Sequence, residues 1–163
     1  MNKFVFCAAV ACVGILSACD SAPAPDLTKT LAIGETGKAD SVEITVSSAK
    51  AVKLIGPPEV GLKAGDGEIY VRVDYTVKNT SGDPLQLQDR PKLTLRDDKG
   101  QSYAVDEVTS AVAGTEDIAS VGDLNNGVSA KTAAVWKVDE QAYNPAAWLV
   151  VSETSPALAF KLK

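Results

Sequence analysis

Ile69-Tyr70-Val71-Arg72-Val73-Asp74-Tyr75-Thr76-Val77-Lys78 decides the fold. Its apolar residues recur at every second position. Ile69, Val71, Val73, Tyr75 and Val77 share one side, and Tyr70, Arg72, Asp74, Thr76 and Lys78 share the other. Successive side chains of a β-strand point to opposite faces, so the pattern predicts a strand with one face in a core and one in water. Val42, Ile44 and Val46 alternate with Glu43 and Thr45 in the same way, Leu93 and Leu95 flank Thr94, and Leu158, Phe160 and Leu162 flank Ala159 and Lys161. Residues 132–138 and 148–151 are more continuously apolar, as central strands covered on both faces would be.

Turn chemistry separates these runs. Asn79-Thr80-Ser81-Gly82-Asp83-Pro84 stops the longest strand, and its Asn-x-Ser triplet reads as a turn. Asp97-Asp98-Lys99-Gly100 lies between residues 93–96 and 102–105, with a glycine able to take the positive φ of a hairpin. Asn125-Asn126-Gly127 precedes the strand that begins near Lys131. Gly56-Pro57-Pro58 and Gly65-Asp66-Gly67 bracket an irregular loop, and the one helical piece expected is short, around residues 115–121. Gly34-Glu35-Thr36-Gly37-Lys38 lacks the spacing of a phosphate loop, with two residues between its glycines and Ala39 after the lysine, and reads as a plain loop. About eight strands of this kind predict an all-β chain, an antiparallel β-sandwich with Greek-key connections.

The chain has 163 residues, of which 45% are hydrophobic, 23% charged and 6% aromatic. Sixteen Lys and Arg against 21 Asp and Glu leave a net charge of −5, with a pI near 4.7. Phosphate neutralisation needs a basic chain, so nucleic acid is not an expected partner. No histidine is present, and the three cysteines, Cys7, Cys12 and Cys19, all fall within the first 19 residues. Disulfide frameworks, Cys/His zinc sites, Ser-His-Asp triads and Cys-His nucleophiles are therefore not expected, and neither is any cofactor.

Residues 1–19 read MNKFVFCAAVACVGILSAC. Lys3 precedes an uncharged apolar run of 13 residues, from Phe4 to Leu16. A membrane-spanning helix takes ~20, so the run fits a cleaved signal peptide. Leu16-Ser17-Ala18-Cys19 resembles the bacterial lipobox, which implies a diacylglyceryl thioether on Cys19 and a mature chain starting there. Residues 1–18 are then the signal peptide and 19–30 a lipidated cysteine with a Pro/Ala tether. Residues 31–163 form the domain. Each buried CH₂ is worth about 0.8 kcal/mol, so two or three acyl chains hold the protein on a membrane without threading it through. Asp20 resembles the signal that retains enteric lipoproteins at the inner membrane. Removing residues 1–18 leaves 145 residues with 15 cations and 21 acids, a balance of −6. Ala22-Pro23-Ala24-Pro25 favours an extended tether of about 3.1 Å per residue.

Gly34, the strand end Ser48-Ala49-Lys50, Gly67-Glu68-Ile69-Tyr70-Val71 running into Val77-Lys78-Asn79-Thr80-Ser81, Leu95-Arg96-Asp97-Asp98-Lys99-Gly100-Gln101-Ser102-Tyr103, Asn126-Gly127 and Val135-Trp136 together form a pattern. It resembles an immunoglobulin-like domain family of bacterial lipoproteins and small secreted proteins, over roughly residues 30–163. The resemblance implies an immunoglobulin-like antiparallel sandwich of about seven or eight strands and a place in the cell envelope. It transfers no catalytic residue.

The leading functional expectation is a non-enzymatic, lipid-anchored envelope module. Its acyl chains on Cys19 enter the membrane, and its domain faces the periplasm or the cell exterior and meets an envelope protein. The alternative is a binder of a small ligand, a sugar or a metal ion, and a third reading is a hydrolase with paired carboxylates. Tyr143 and Trp148 are the candidate partner contacts if they share an exposed patch, and Trp136 reads as core. Asp97-Asp98, Asp106-Glu107 and Asp66/Glu68 lack the D-x-D-x-D-G spacing of a calcium loop and read as solvated turns, so no metal site is expected. Lys161 and Lys163 read as protection of a sheet edge.

Overall fold

The computed structural model describes residues 30–114 and 122–163. The signal sequence, Cys19, the Pro/Ala stretch before Thr30 and the helix expected at residues 115–121 lie outside the described residues. Eleven strands and one α-helix are present among those described: β1 (Thr30–Leu31), β2 (Thr36–Lys38), β3 (Val42–Val52), β4 (Leu54–Ile55), β5 (Leu62–Lys63), β6 (Glu68–Asn79), β7 (Leu93–Arg96), β8 (Ser102–Tyr103), α1 (Glu107–Ala113), β9 (Ser129–Asp139), β10 (Leu149–Ser152) and β11 (Ala159–Lys161). The long alternating stretch becomes β6 and pairs antiparallel with β3 on one side and β9 on the other. With β2 these make a four-stranded sheet in the order β2-β3-β6-β9. It faces a five-stranded sheet in the order β1-β11-β10-β7-β8.

The inward side chains of β6 meet their partners in register: Val71 lies opposite Trp136, Val73 opposite Ala134 and Val77 opposite Ala130. With Val42, Ile44 and Val46 of β3 they pack against Leu93, Leu95, Val150 and Phe160 of the other sheet, forming the main core. Each fully buried aliphatic side chain contributes about 1.5–3 kcal/mol, and Trp136 and Phe160 are the largest fully buried side chains. The β-sandwich expected from alternation is therefore the fold.

A second, smaller core lies on the outer side of the four-stranded sheet. Ile55, Ala64, Tyr70, Ala113, Ala133 and Val135 cluster there, with Val52 packed against them. They are brought together by α1 lying on β9 and by the β4–β5 hairpin. Asp106 caps α1 by accepting from Thr109 N, and its own N–H donates to Val135 O at 2.8 Å. Ser110 Oγ accepts from Val135 N at 2.8 Å. These bonds occupy both backbone groups of Val135 on the edge strand, groups that would otherwise invite pairing with another chain.

Several expectations change. Residues 132–138 lie in β9, at the edge of its sheet; they are apolar on both faces because α1 covers the outer one. Lys161 stands in β11, between β1 and β10, and so guards no edge. Residues 36–38 form β2, where a Cβ on Gly37 would come within 2.7 Å of Leu31 Cδ1 and 2.8 Å of Leu158 Cδ1, so a larger residue there would have to displace those two leucine side-chain ends. The irregular loop between Gly56 and Gly67 contains β5, which pairs antiparallel with β4 just before Gly56. β1 runs parallel to β11, the one parallel pair among the described strands, because the chain crosses from one sheet to the other between β1 and β2.

Asn79 ends β6 and is fully buried. Its Nδ2 donates to Asp83 O at 2.6 Å and to Leu124 O at 2.7 Å, while Oδ1 accepts from Ser81 N at 2.9 Å and Ser81 Oγ at 2.7 Å. The Asn-Thr-Ser turn is thus a hydrogen-bonded pin joining two loops. Asp97 plays the equivalent part in its hairpin, where Oδ1 accepts from Lys99 N and Gln101 N and Gly100 adopts φ 81°.

Candidate functional site

The residues that matter lie on the outer, polar side of the alternating strand. Two residues apart on a strand share a face, so Arg72, Asp74, Thr76 and Lys78 form one row. Register places Lys50 opposite Arg72, Ser48 opposite Asp74, Thr45 opposite Thr76 and Glu43 opposite Lys78 on β3, with Lys131 opposite Thr76 on β9. Beyond the smaller core this half of the sheet face carries no apolar cover among the described residues.

A bulge sits in its centre. Val46 pairs with Tyr75 and Ser48 with Asp74, leaving Ser47 as the extra residue of β3. Bulges bend a strand and re-aim side chains, and they recur beside functional sites. Both serines turn to Asp74: Ser47 Oγ donates to its backbone oxygen at 3.0 Å and Ser48 Oγ to Oδ2 at 2.6 Å. Arg72 Nε donates to Asp74 Oδ1 at 2.7 Å. An open groove of about 620 Å³ lies beside this cluster, lined by Ser47, Arg72, Asp74, Tyr75, Thr76, Lys131, Thr132 and Ala133 and by Ala113 and Gly114 at the end of α1.

Electrostatics follow the same row. Glu43 accepts from Lys38 at 3.0 Å and Lys78 at 3.4 Å, and those hydrogen bonds, Lys38 first, hold its carboxyl below the usual value. Burial pushes the Tyr75 hydroxyl up to about 12, against the opposing pull of Arg90. Among the described residues lining the groove Asp74 is the one carboxylate, and both its oxygens are engaged by Arg72 and Ser48.

The candidate aromatic contacts fare differently. Trp148 is 2% exposed and packs in the main core, so it offers no surface to a partner. Tyr103 stacks on it at 5.1 Å and Tyr143 meets it edge-on at 5.4 Å, a triad that closes one end of the sandwich. The expected exposed patch of Tyr143 and Trp148 does not form, because Tyr103 and Tyr143 cover the indole. Tyr103 donates to Asp97 Oδ2 at 3.2 Å, and burial raises its pKa, with the Asp97 charge adding to the effect. Among the described residues no group of three His, Cys, Asp or Glu side chains is placed to hold a metal ion. Asp106 is a helix cap and Asp97 a turn anchor.

Residues 31–156 match the family described as a domain of unknown function, DUF4352. The chain belongs to that family. YxkC, an uncharacterized protein of Bacillus subtilis strain 168, is 32% identical over 124 residues, 74% of this chain and 69% of the relative. Among solved structures, a conserved hypothetical protein from Bacillus anthracis superposes with a TM-score of 0.68 at 19% identity, covering 78% of this chain and 93% of that one. An uncharacterized β-sandwich protein from Clostridium difficile 630 gives 0.58 at 15% identity, covering 86% and 99%. At such identities the likeness concerns the fold, and it agrees with the sandwich of this DUF4352 chain.

Arg72, Asp74 and Ser47 were not singled out in the sequence as a site. The signal available for them was the polar side of the alternating strand, which reads equally well as a solvated face. Ser47 and Ser48 gain meaning only from the register shift, which a single strand does not reveal.

Proposed function

We propose that the protein is a lipid-anchored, non-enzymatic module of the bacterial cell envelope that recognises an envelope component through the open side of its four-stranded sheet. The observation that carries this reading is the state of Asp74. Its oxygens accept from Arg72 Nε at 2.7 Å and from Ser48 Oγ at 2.6 Å. It holds the guanidinium and the bulge in place beside the groove, an organised polar surface that supports recognition of a ligand. The lipobox-like Leu16-Ser17-Ala18-Cys19 supports display on a membrane, with the acyl chains on Cys19 as the anchor.

In-cell cross-linking tests the whole reading. A photo-reactive residue at Ser47 is expected to capture a reproducible envelope component in the wild-type background. Cys19→Ala should release the chain to the soluble fraction, abolish incorporation of labelled fatty acid and lose the adduct. A Cys19→Ala chain that stays on the membrane overturns the anchor, and no adduct from Ser47 overturns the recognition face.

A further inference from the structure

The open side of the four-stranded sheet differs from the rest of the molecule in charge. Among the described residues Lys38, Lys50, Arg72, Lys78 and Lys131 stand on it against Glu43 and Asp74, a local excess of three positive charges on a chain whose net charge is −5. Around them are hydroxyls: Thr36 and Thr45 bond to each other at 2.7 Å, and Ser47 and Ser48 flank Asp74. Among the described residues this half of the face carries no aromatic anchor of the kind that concentrates binding energy in protein interfaces.

The same side carries a second unusual feature. The two most exposed large hydrophobic residues among those described are Val60, 79% exposed, and Val108, 73% exposed; Val112, on the same helix as Val108, is 40% exposed. Val108 and Val112 lie four apart on α1, and Val60 lies in the loop between β4 and β5. Both elements sit on the outer side of the four-stranded sheet. Val112 Cγ1 comes within 3.4 Å of the space above Gly56, which joins helix and loop into one ridge. A ridge of exposed aliphatics beside a cationic, hydroxyl-rich plain is the composition of a surface that rests in a lipid interface.

We propose that this side is the membrane-facing side, docking on anionic lipid headgroups. Lys38, Lys50 and Lys78 meet the phosphates, while Val60 and Val108 dip among the upper acyl carbons. The proposal rests on the lipid-anchored reading for its occupant. If Cys19 is acylated, the ten residues between it and Thr30 keep the domain within about 35 Å of the bilayer, so the surface is always present at high effective concentration. A weak site without aromatic anchors suffices under those conditions. An anionic leaflet of ordinary surface potential weights three net positive charges by roughly thirty-fold at contact, enough to orient an otherwise acidic domain.

Full-length protein reconstituted in vesicles tests this, with Thr36→Cys on the proposed face or Ser102→Cys on the opposite sheet carrying a fluorophore, and nitroxide-headgroup lipid as quencher. Both positions are exposed. On phosphatidylglycerol-containing vesicles the label at position 36 is expected to be quenched at least about two-fold more than that at 102. The difference should collapse in about 0.5 M salt and in Lys38→Gln/Lys50→Gln/Lys78→Gln, and should shrink in Val60→Ser/Val108→Ser. Equal quenching at both positions, or the same pattern on phosphatidylcholine alone, overturns the proposal. So does an in-cell adduct from this face to an acidic protein combined with no quenching preference on vesicles. Mass spectrometry of the N-terminal fragment separately reports acylation of Cys19. Should it be unmodified, the anchor fails by itself. Flotation of the same chain with anionic but not zwitterionic vesicles would still support the face, and no flotation would overturn it.

Discussion

Along the outer side of β6 one surface changes into another within a few residues. At Tyr70 the face lies beneath the β4–β5 hairpin and α1, among Ile55, Ala64, Ala113 and Val135. From Asp74 to Lys78 the same face carries charges and hydroxyls, and its neighbours are Ser48, Thr45, Glu43 and Lys131. Strand, pairing partners and alternation are common to both halves. What differs is what packs on top, and that difference divides the sheet into a part that holds the fold and a part that faces outward. The bulge at Ser47 falls where the open half begins, so the backbone changes course where the chemistry does.

If this division is right, substitutions on the two sides of the boundary should separate cleanly. The largest effect is expected in the covered half. Ile55→Ala empties a site that is 1% exposed and should cost about 2–5 kcal/mol in urea unfolding, with an unchanged denaturant slope. A loss below 1 kcal/mol would mean that the hairpin does not cover the sheet as described. Next comes the pin at the open end of β6. Asn79→Ala takes one of two donors from Leu124 O and from Asp83 O and the acceptor from Ser81 N, and should destabilise by about 1–3 kcal/mol, although it removes no apolar surface.

Smaller effects sharpen the boundary. Asp106→Ala removes the cap of α1 and should cost about 1 kcal/mol, with faster amide exchange at Thr109 and Val135 than at β6. Glu43 supplies a pH signature for the open half. Its folded pKa lies below the usual 4.5, so the folded state binds its proton less readily than the unfolded one. Its contribution is therefore complete above 4.5 and lost as the pH falls through the lower folded value. Unfolding measured across about pH 3 to 6 should be flatter for Glu43→Gln than for the wild type. An identical slope in the variant would remove the Lys38–Glu43–Lys78 cluster from the account. Smallest of all, Thr76→Ala should stay within about 0.5 kcal/mol of wild type, since no apolar cover packs on that half of the face among the described residues.

The same contrast explains how far the sequence could be read. β6 was legible because one face is buried and the other mostly wet, the condition under which a period of two is visible. β9 was recognised as a strand but placed at the sheet's centre, because cover by a helix and cover by a neighbouring layer both leave continuous apolar residues. α1 was missed at residues 107–113 since Val108 and Val112 point outward, which erases the one-sided apolar stripe a short helix would show. Its remaining signal was the Asp106 cap. The aromatic candidates drew notice as large side chains, yet Trp148 turns inward beneath Tyr103 and Tyr143. The groove was invisible for the opposite reason: Arg72, Asp74 and Thr76 are ordinary residues for a solvated strand face, and only pairing with β3 and β9 assembles them with Ser47, Ser48 and Lys131.

The central claim, that the open half recognises and the covered half supports, is met most directly by one paired measurement on Lys38→Gln/Lys50→Gln/Lys78→Gln: urea unfolding and flotation with anionic vesicles on the same preparation. The account predicts an unfolding free energy within about 0.5 kcal/mol of wild type together with at least a ten-fold loss of vesicle binding. Wild-type binding by the triple variant, or a stability loss as large as that of Ile55→Ala, would contradict it.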